Sequence, residues 1–144
     1  MVRRIAGVVV GVAVAFVLVA AAEWLIHYIA PPPPGDWSDP EFRRQVVERA
    51  PFGALLSVVI GHGLAAFVGG CLAAGVARDG PWPAWVVAAL MGAALIAGVV
   101  TVPHPIWFPI LAIALIAGAG WLSGRLYGET ADDEPAEQEQ TAAG

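Results

Sequence analysis

Four side chains with the potential for chemistry lie in or beside the long apolar segments of this chain. They are the carboxylate Glu23 and the only three histidines, His27, His62 and His104. Glu23 and His27 are four residues apart, so a helix places them on one face. Carboxylate and imidazole ligands suit Zn, Fe or Cu, and Glu-x-x-x-His offers two of them from one face. The four residues are therefore candidate metal ligands, and the cofactor they would hold is a transition metal or haem.

Two other roles suit the same residues. An ionised carboxylate is costly in lipid, so we expect Glu23 to face the second apolar segment and to share a proton or hydrogen bond with His62. Alternatively, His62 lies between Gly61 and Gly63, which leave space for a quinone or haem, or for a proton or ion path. The structural pairing is favoured, so no cofactor is predicted and metal or cofactor binding is the alternative.

The elements that must position these residues are membrane helices. Three stretches have no Asp, Glu, Lys or Arg: residues 5–22, 50–77 and 80–124. A transmembrane helix needs about 20 mostly apolar residues. Prolines at 31–34 and at 103 and 105 end helices, because each removes a backbone donor. Four spans are therefore predicted, at about 5–30, 52–77, 82–102 and 106–127. A cleaved signal peptide is the alternative for the first.

The predicted fold class is all-α, an integral membrane four-helix antiparallel bundle. The connections at 78–81 and 102–105 are short, which makes successive spans antiparallel neighbours. At the helical rise, Glu23 lies roughly 10 Å and His62 roughly 16 Å from the same end of the bundle. His27 and His104 lie near that end as well. The four polar residues are thus expected in one half of the bundle.

The segment between the first two spans predicts one short interfacial helix near residues 40–50. Ser38 and Glu41 have the spacing of a capping box at its start. Three apolar residues are expected on the face toward the membrane: Phe42, Val46 and Val47. Three charged residues are expected on the opposite face: Arg43, Arg44 and Glu48. Such a helix would lie along the membrane surface and cover the mouth of the bundle.

The positions of the arginines predict the orientation. Four of the seven fall on the side of the N-terminus, beside short connections: Arg3, Arg4, Arg78 and Arg125. The positive-inside rule then places both termini in the cytoplasm. All seven basic residues are Arg, which together with many Ala, Gly and Val indicates a bacterial chain and hence the inner membrane.

The final 16 residues, 129–144, contain six acids and no base. Such a segment cannot bury enough apolar surface to offset its ordering entropy, so it is predicted to be a disordered acidic tail. The chain therefore divides into a four-span bundle, residues 1–128, and this tail.

Composition and motifs narrow the function. The sequence has no Cys-x-x-Cys, no Ser/His/Asp order and no phosphate-binding loop, so an enzyme is not favoured. It has no basic patch, which argues against nucleic acid. Small residues recur every four positions in the second span, as in Gly61, Ala65, Gly69, Ala73 and Ala77, and allow close helix packing or a homo-oligomer interface. The predicted function is a structural or accessory one in the lipid bilayer, within a homo-oligomer or a larger membrane complex. The alternative is metal, cofactor or proton chemistry at the Glu/His set.

Overall fold

The chain forms five helices in a computed structural model that describes residues 1–29 and 31–128. They are α1 (Val2–Ile29), α2 (Pro40–Arg49), α3 (Phe52–Ala77), α4 (Trp82–Thr101) and α5 (Trp107–Gly128). No strand occurs within these described residues. All but α2 are long and apolar enough to cross a membrane, which makes this a multi-pass membrane protein and confirms the all-α prediction with four candidate spans. The predicted tail, 129–144, lies outside the described residues.

The long helices end where the sequence breaks their hydrogen bonding. α3 ends at Ala77; its C-cap, Arg78, still donates its N–H to the carbonyl of Ala74, and its left-handed backbone (φ 48°) then turns the chain out of the helix. α4 starts with a proline in its first turn and ends at Thr101, and its C-cap Val102 directly precedes Pro103. The observed bounds of the four long helices therefore differ from the predicted ones by only a few residues.

The start of α2 differs from the predicted capping box. Asp39, and not Ser38, is the N-cap, and its carboxylate accepts a hydrogen bond of 2.9 Å from the backbone N–H of Glu41. Pro40 takes the first helical position, where its fixed φ and missing N–H carry no cost. Ser38 instead donates to the carboxylate of Asp36, from both its N–H (2.9 Å) and its hydroxyl (2.6 Å).

Small residues bring α1 and α3 into close contact. Gly7, near the start of α1, lies against the end of α3, where an added Cβ would be 2.9 Å from the backbone nitrogen of Ala77. One turn later, a Cβ on Gly11 would be 2.7 Å from the Cβ of Ala73. The small-residue row of the second span therefore serves packing within the chain.

The buried core lies where α3, α4 and α5 meet. Its larger members are Val59, Val87, Met91, Leu95, Phe108 and Ile116. Gly120 in α5 packs against α4, since a Cβ there would be 2.7 Å from the Cβ of Ala88. Gly70 in α3 packs against the hydroxyl of Ser123 in α5. Large apolar side chains cover the outside, as a surface that faces lipid requires.

Polar contacts tie the start of α1 to the connection between α3 and α4. The guanidinium of Arg4 pairs with the carboxylate of Asp79 at 2.6 Å, and the Trp82 indole N–H donates to the same carboxylate at 2.8 Å. The hydrogen bond from Trp82 and the neighbouring Arg4 hold the pKa of Asp79 below its ordinary value. This corner defines one end of the molecule, and the polar residues of interest lie at the other.

Candidate functional cleft

One cleft of about 510 Å³ brings the predicted polar residues together. It lies at the end of the molecule away from Asp79. Seven side chains with polar groups line it: Glu23, His27, Trp37, Arg43, His62, Thr101 and His104. The carboxylate and all three histidines thus line one cleft, in agreement with the prediction that they lie in one half of the bundle.

The floor of the cleft is formed by α3 and α5. Val58 and His62 in α3 are half-buried, and Phe108 in α5 is 3% exposed. The His104 ring stacks on Phe108, with their centroids 4.5 Å apart and their planes 25° apart. Pro103 and Pro105 restrict the backbone on either side of His104, which holds its ring beside the start of α5.

Two sides of the cleft are formed by α1 and α4. Glu23 and His27 on α1 are exposed, as are Ala94, Gly98 and Thr101 on α4. A Cβ built on Gly98 would meet no atom within 4 Å, so the α4 wall has unoccupied space beside it. The cleft is therefore accessible at these residues of α1 and α4.

The roof of the cleft is α2 together with Trp37 in the segment before it. Arg43 and Val47 line the cleft from above and are half-buried. No Cα atom of α2 lies within 8 Å of a Cα atom of another described helix. Only side chains therefore connect α2 to the helices beneath it.

Arg43 is the functional candidate that the sequence prediction missed. It was expected on the outer face of α2 with Arg44 and Glu48, and this expectation is wrong. Residues four apart share a helical face, and Arg43 is four residues before Val47. Arg44 and Glu48, which are also four residues apart, are exposed and pair with each other at 2.8 Å. Arg43 and Val47 therefore share the face toward the cleft, and Arg44 and Glu48 share the face toward solvent.

The three histidines share one hydrogen-bonding arrangement. The Nδ1 atoms of His27, His62 and His104 lie 2.6, 2.9 and 2.6 Å from the carbonyl oxygens of Glu23, Val58 and Val102 respectively. A carbonyl accepts but cannot donate, so each Nδ1 carries the proton. In the neutral imidazoles, each Nε2 is then left as an acceptor. The cleft therefore contains a set of hydrogen-bond acceptors.

Glu23 of α1 is exposed and borders α3 where the two helices meet. With His62 and Gly61 it lines a narrow gap of about 10 Å³ between α1 and α3, near the smallest space that holds one water. The expected hydrogen bond is not formed, because the Nδ1 of His62 is bonded to Val58 and no contact joins the carboxylate to the ring. The two groups are therefore neighbours in the cleft without a direct bond.

The candidate metal ligands do not form a preassembled coordination site in the described part of the chain. Across residues 1–29 and 31–128, no three His, Cys, Asp or Glu side chains are grouped so as to hold a metal ion. The proposed ligands, Glu23, His27, His62 and His104, are spread along the cleft. Metal binding at these residues stays a prediction.

Comparisons with protein-family models, with curated proteins and with solved structures found no match. A shared fold would not by itself identify a function, which depends on the chemistry of the site. The cleft and its side chains are therefore the basis for a functional proposal.

Proposed function

We propose that the four long helices cross the bacterial inner membrane as an antiparallel bundle, with both termini in the cytoplasm. α2 would then lie at the outer interface above the cleft. This orientation is supported by Arg3, Arg4 and Arg78, which lie at the end of the bundle opposite α2. Topology reporters fused at Gly35 and Gly80 test it. A periplasmic reporter signal at Gly35 and a cytoplasmic one at Gly80 are expected, and the reverse pattern would contradict the orientation.

Within that membrane, the protein would have an accessory role in which the cleft binds a small amphipathic molecule. The observation that carries this proposal is that the carboxylate of Glu23, all three histidines and the guanidinium of Arg43 line one cleft. Ligand sites are concave and mostly apolar, with a few convergent polar groups, and have volumes of roughly 300–1,000 Å³. A volume of about 510 Å³ and walls that include Ile26, Leu95 and Val99 match this description.

The exposure of the α1 and α4 residues that line the cleft supports a ligand that comes from the bilayer. Several residues of α1 and α4 that line the cleft are exposed, and large apolar side chains elsewhere on both helices are exposed as well, such as Leu25 and Ile96. In a spanning bundle this surface would be covered by lipid chains. A molecule with an apolar part would reach the cleft along this surface, and its polar part would meet the Glu/His set.

Native mass spectrometry of the protein extracted in a mild detergent tests the proposal. Gly98→Phe places a ring in the open space of the cleft wall, and Gly92→Phe adds the same ring on the same helix, again where a Cβ has nothing within 4 Å. Gly92 is not among the residues that line the cleft. The unmodified protein and Gly92→Phe should retain a bound molecule that Gly98→Phe loses. Equal retention in all three, or no bound molecule in any, would leave a purely structural role as the better account.

A transition-metal site is the second candidate function. It is favoured by the histidine arrangement, because ligating imidazoles commonly donate the second ring N–H to a backbone carbonyl. Metal binding would require side chains such as Glu23 and His62 to converge from their present positions. Elemental analysis of protein purified without a histidine tag tests this. Stoichiometric metal that is lost in His62→Leu would establish the metal site, and absence of metal would exclude it under those conditions.

A further inference from the structure

The charges of the cleft point to its ligand class, and we infer that it binds a zwitterionic aminophospholipid. The phosphate would accept hydrogen bonds from Arg43, and the primary ammonium would donate to Glu23 and to the imidazoles beside it. This inference rests on the proposed ligand-binding function of the same cleft.

Arg43 supplies the positive site. Its Nη1 donates to the backbone carbonyl of Trp37 at 3.1 Å, while its Nε is shielded from solvent and has no acceptor. A guanidinium has five N–H donors, and an unsatisfied buried donor of a charged group is costly. No carboxylate in the described part of the chain lies within 4 Å of this guanidinium. An anionic group in the cleft would supply the missing charge and would accept from Nη2, the guanidinium nitrogen that is neither bonded within the chain nor shielded from solvent.

Glu23 supplies the negative site. No ion pair or side-chain hydrogen bond is formed by its carboxylate with any described residue. Arg43 and Glu23 therefore line one cleft with opposite charges that are not paired with each other. In surroundings of low dielectric, each uncompensated charge is unfavourable. A ligand with one charge of each sign compensates both, whereas an anionic or neutral ligand leaves Glu23 without a partner.

The histidines favour a primary ammonium over a trimethylated one. With Nδ1 donating to a carbonyl, an imidazole in its neutral form has Nε2 as an acceptor, and His27 and His62 line the same cleft as Glu23. A primary ammonium has three N–H donors for such acceptors, and a trimethylammonium group has none. The apolar residues of the cleft, including Ile26 and Val99, would contact the first part of the acyl chains.

Lipid binding would also connect α2 to the helices below. Arg43 is on α2, and Glu23 is on α1, so a headgroup that bridges them joins two elements that no backbone contact holds together. The backbone amides of α2 should then exchange hydrogen more slowly when the lipid is bound.

Competition among defined lipids tests the inference. Delipidated protein is equilibrated with equal amounts of phosphatidylethanolamine, phosphatidylcholine and phosphatidylglycerol of identical chains, and the retained lipid is identified by native mass spectrometry. Phosphatidylethanolamine should be retained about tenfold or more over each of the others, which corresponds to one charge-assisted hydrogen bond. It should also slow hydrogen exchange in α2, and the other two lipids should not.

Three variants assign the two contacts. Glu23→Gln should remove the preference for phosphatidylethanolamine over phosphatidylcholine. Arg43→Gln should weaken the retention of both by about tenfold and leave their ratio unchanged. Arg44→Gln is the matched control, since the next residue is exposed and paired with Glu48, and it should change neither.

The outcomes separate this inference from the proposed function. Retention of phosphatidylglycerol or of a co-purified quinone, lost in Gly98→Phe, would overturn the ligand class and leave a ligand-binding cleft. Equal retention of all three lipids, unaffected by Gly98→Phe, would overturn both.

Discussion

The contact between α1 and α3 allows a stability prediction in which a packing term is isolated from helix propensity. In Gly11→Ala, the new methyl would lie 2.7 Å from the Cβ of Ala73 and closer still to the carbonyl oxygen of Gly69, whereas ordinary contact begins at 3.4 Å, so the helices would have to part by at least about 0.7 Å. Overpacking of this kind costs about 1–3 kcal/mol. In Gly92→Ala, the methyl meets no atom within 4 Å. Both variants gain the same helix propensity of up to about 1 kcal/mol, so the difference between them is the packing term.

Reversible unfolding in mixed micelles, followed by tryptophan fluorescence as SDS is added, measures this difference. Gly11→Ala should have a free energy of unfolding about 1–3 kcal/mol below that of Gly92→Ala, while Gly92→Ala equals or exceeds the unmodified protein. Equal stability of the two variants would show that α1 and α3 are not in close contact at Gly11, and would refute the account of the small-residue row.

Three further predictions follow from particular side chains. In delipidated detergent, the changes in the free energy of unfolding caused by Glu23→Gln and by His62→Leu should add within about 0.5 kcal/mol, since no hydrogen bond joins the two side chains; a larger coupling in that double-mutant cycle would indicate a direct bond. The pKa of Asp79 is lowered in the folded protein, so its carboxylate stabilises the fold at neutral pH, and this contribution is lost as the pH falls through and below roughly 3.9, the ordinary value for Asp. In Asp79→Asn, the midpoint of unfolding should therefore fall less between neutral and acidic pH than it does in the unmodified protein. An equal fall in both proteins would contradict the role of that carboxylate. Ser123→Ala should cost less than about 1.5 kcal/mol in the same unfolding assay, because the buried hydroxyl donates only to carbonyls of its own helix; a much larger loss would reveal an interhelical partner.

The membrane helices were predictable because their signals are local. A run without charge from residue 80 to residue 124, broken by prolines, defines two spans and the turn between them without reference to the rest of the chain. The shared depth of Glu23 and His62 was predictable too, because helical rise converts position along the chain into distance. The spans, the turns between them and the depth of each polar residue depend only on length, hydropathy and helical rise, and were therefore predictable from the sequence.

Side-chain pairing was less predictable, because it depends on rotation of each helix about its axis. The cost of a carboxylate in lipid and a position in the same half of the bundle suggested that Glu23 bonds to His62, but a carbonyl one turn back along α3 is already the partner of that ring. Helical carbonyls are always within reach of a residue four positions on, and they compete with any partner across an interface. The face of α2 that carries Arg43 was within reach of the sequence, since its spacing from Val47 indicates a shared face.

The cleft exists because the close packing of α1 on α3 weakens along the helices. At the end near Asp79, a Cβ on Gly69 would lie 2.9 Å from the Cβ of Ala15. Two turns further along α3, a Cβ on Gly61 would have only the Cβ of Ala22 near it, at 3.8 Å. Beside that point, Glu23 and His62 border the gap of about 10 Å³ between the two helices. The small-residue row therefore fixes one end of the bundle and leaves space for a ligand at the other.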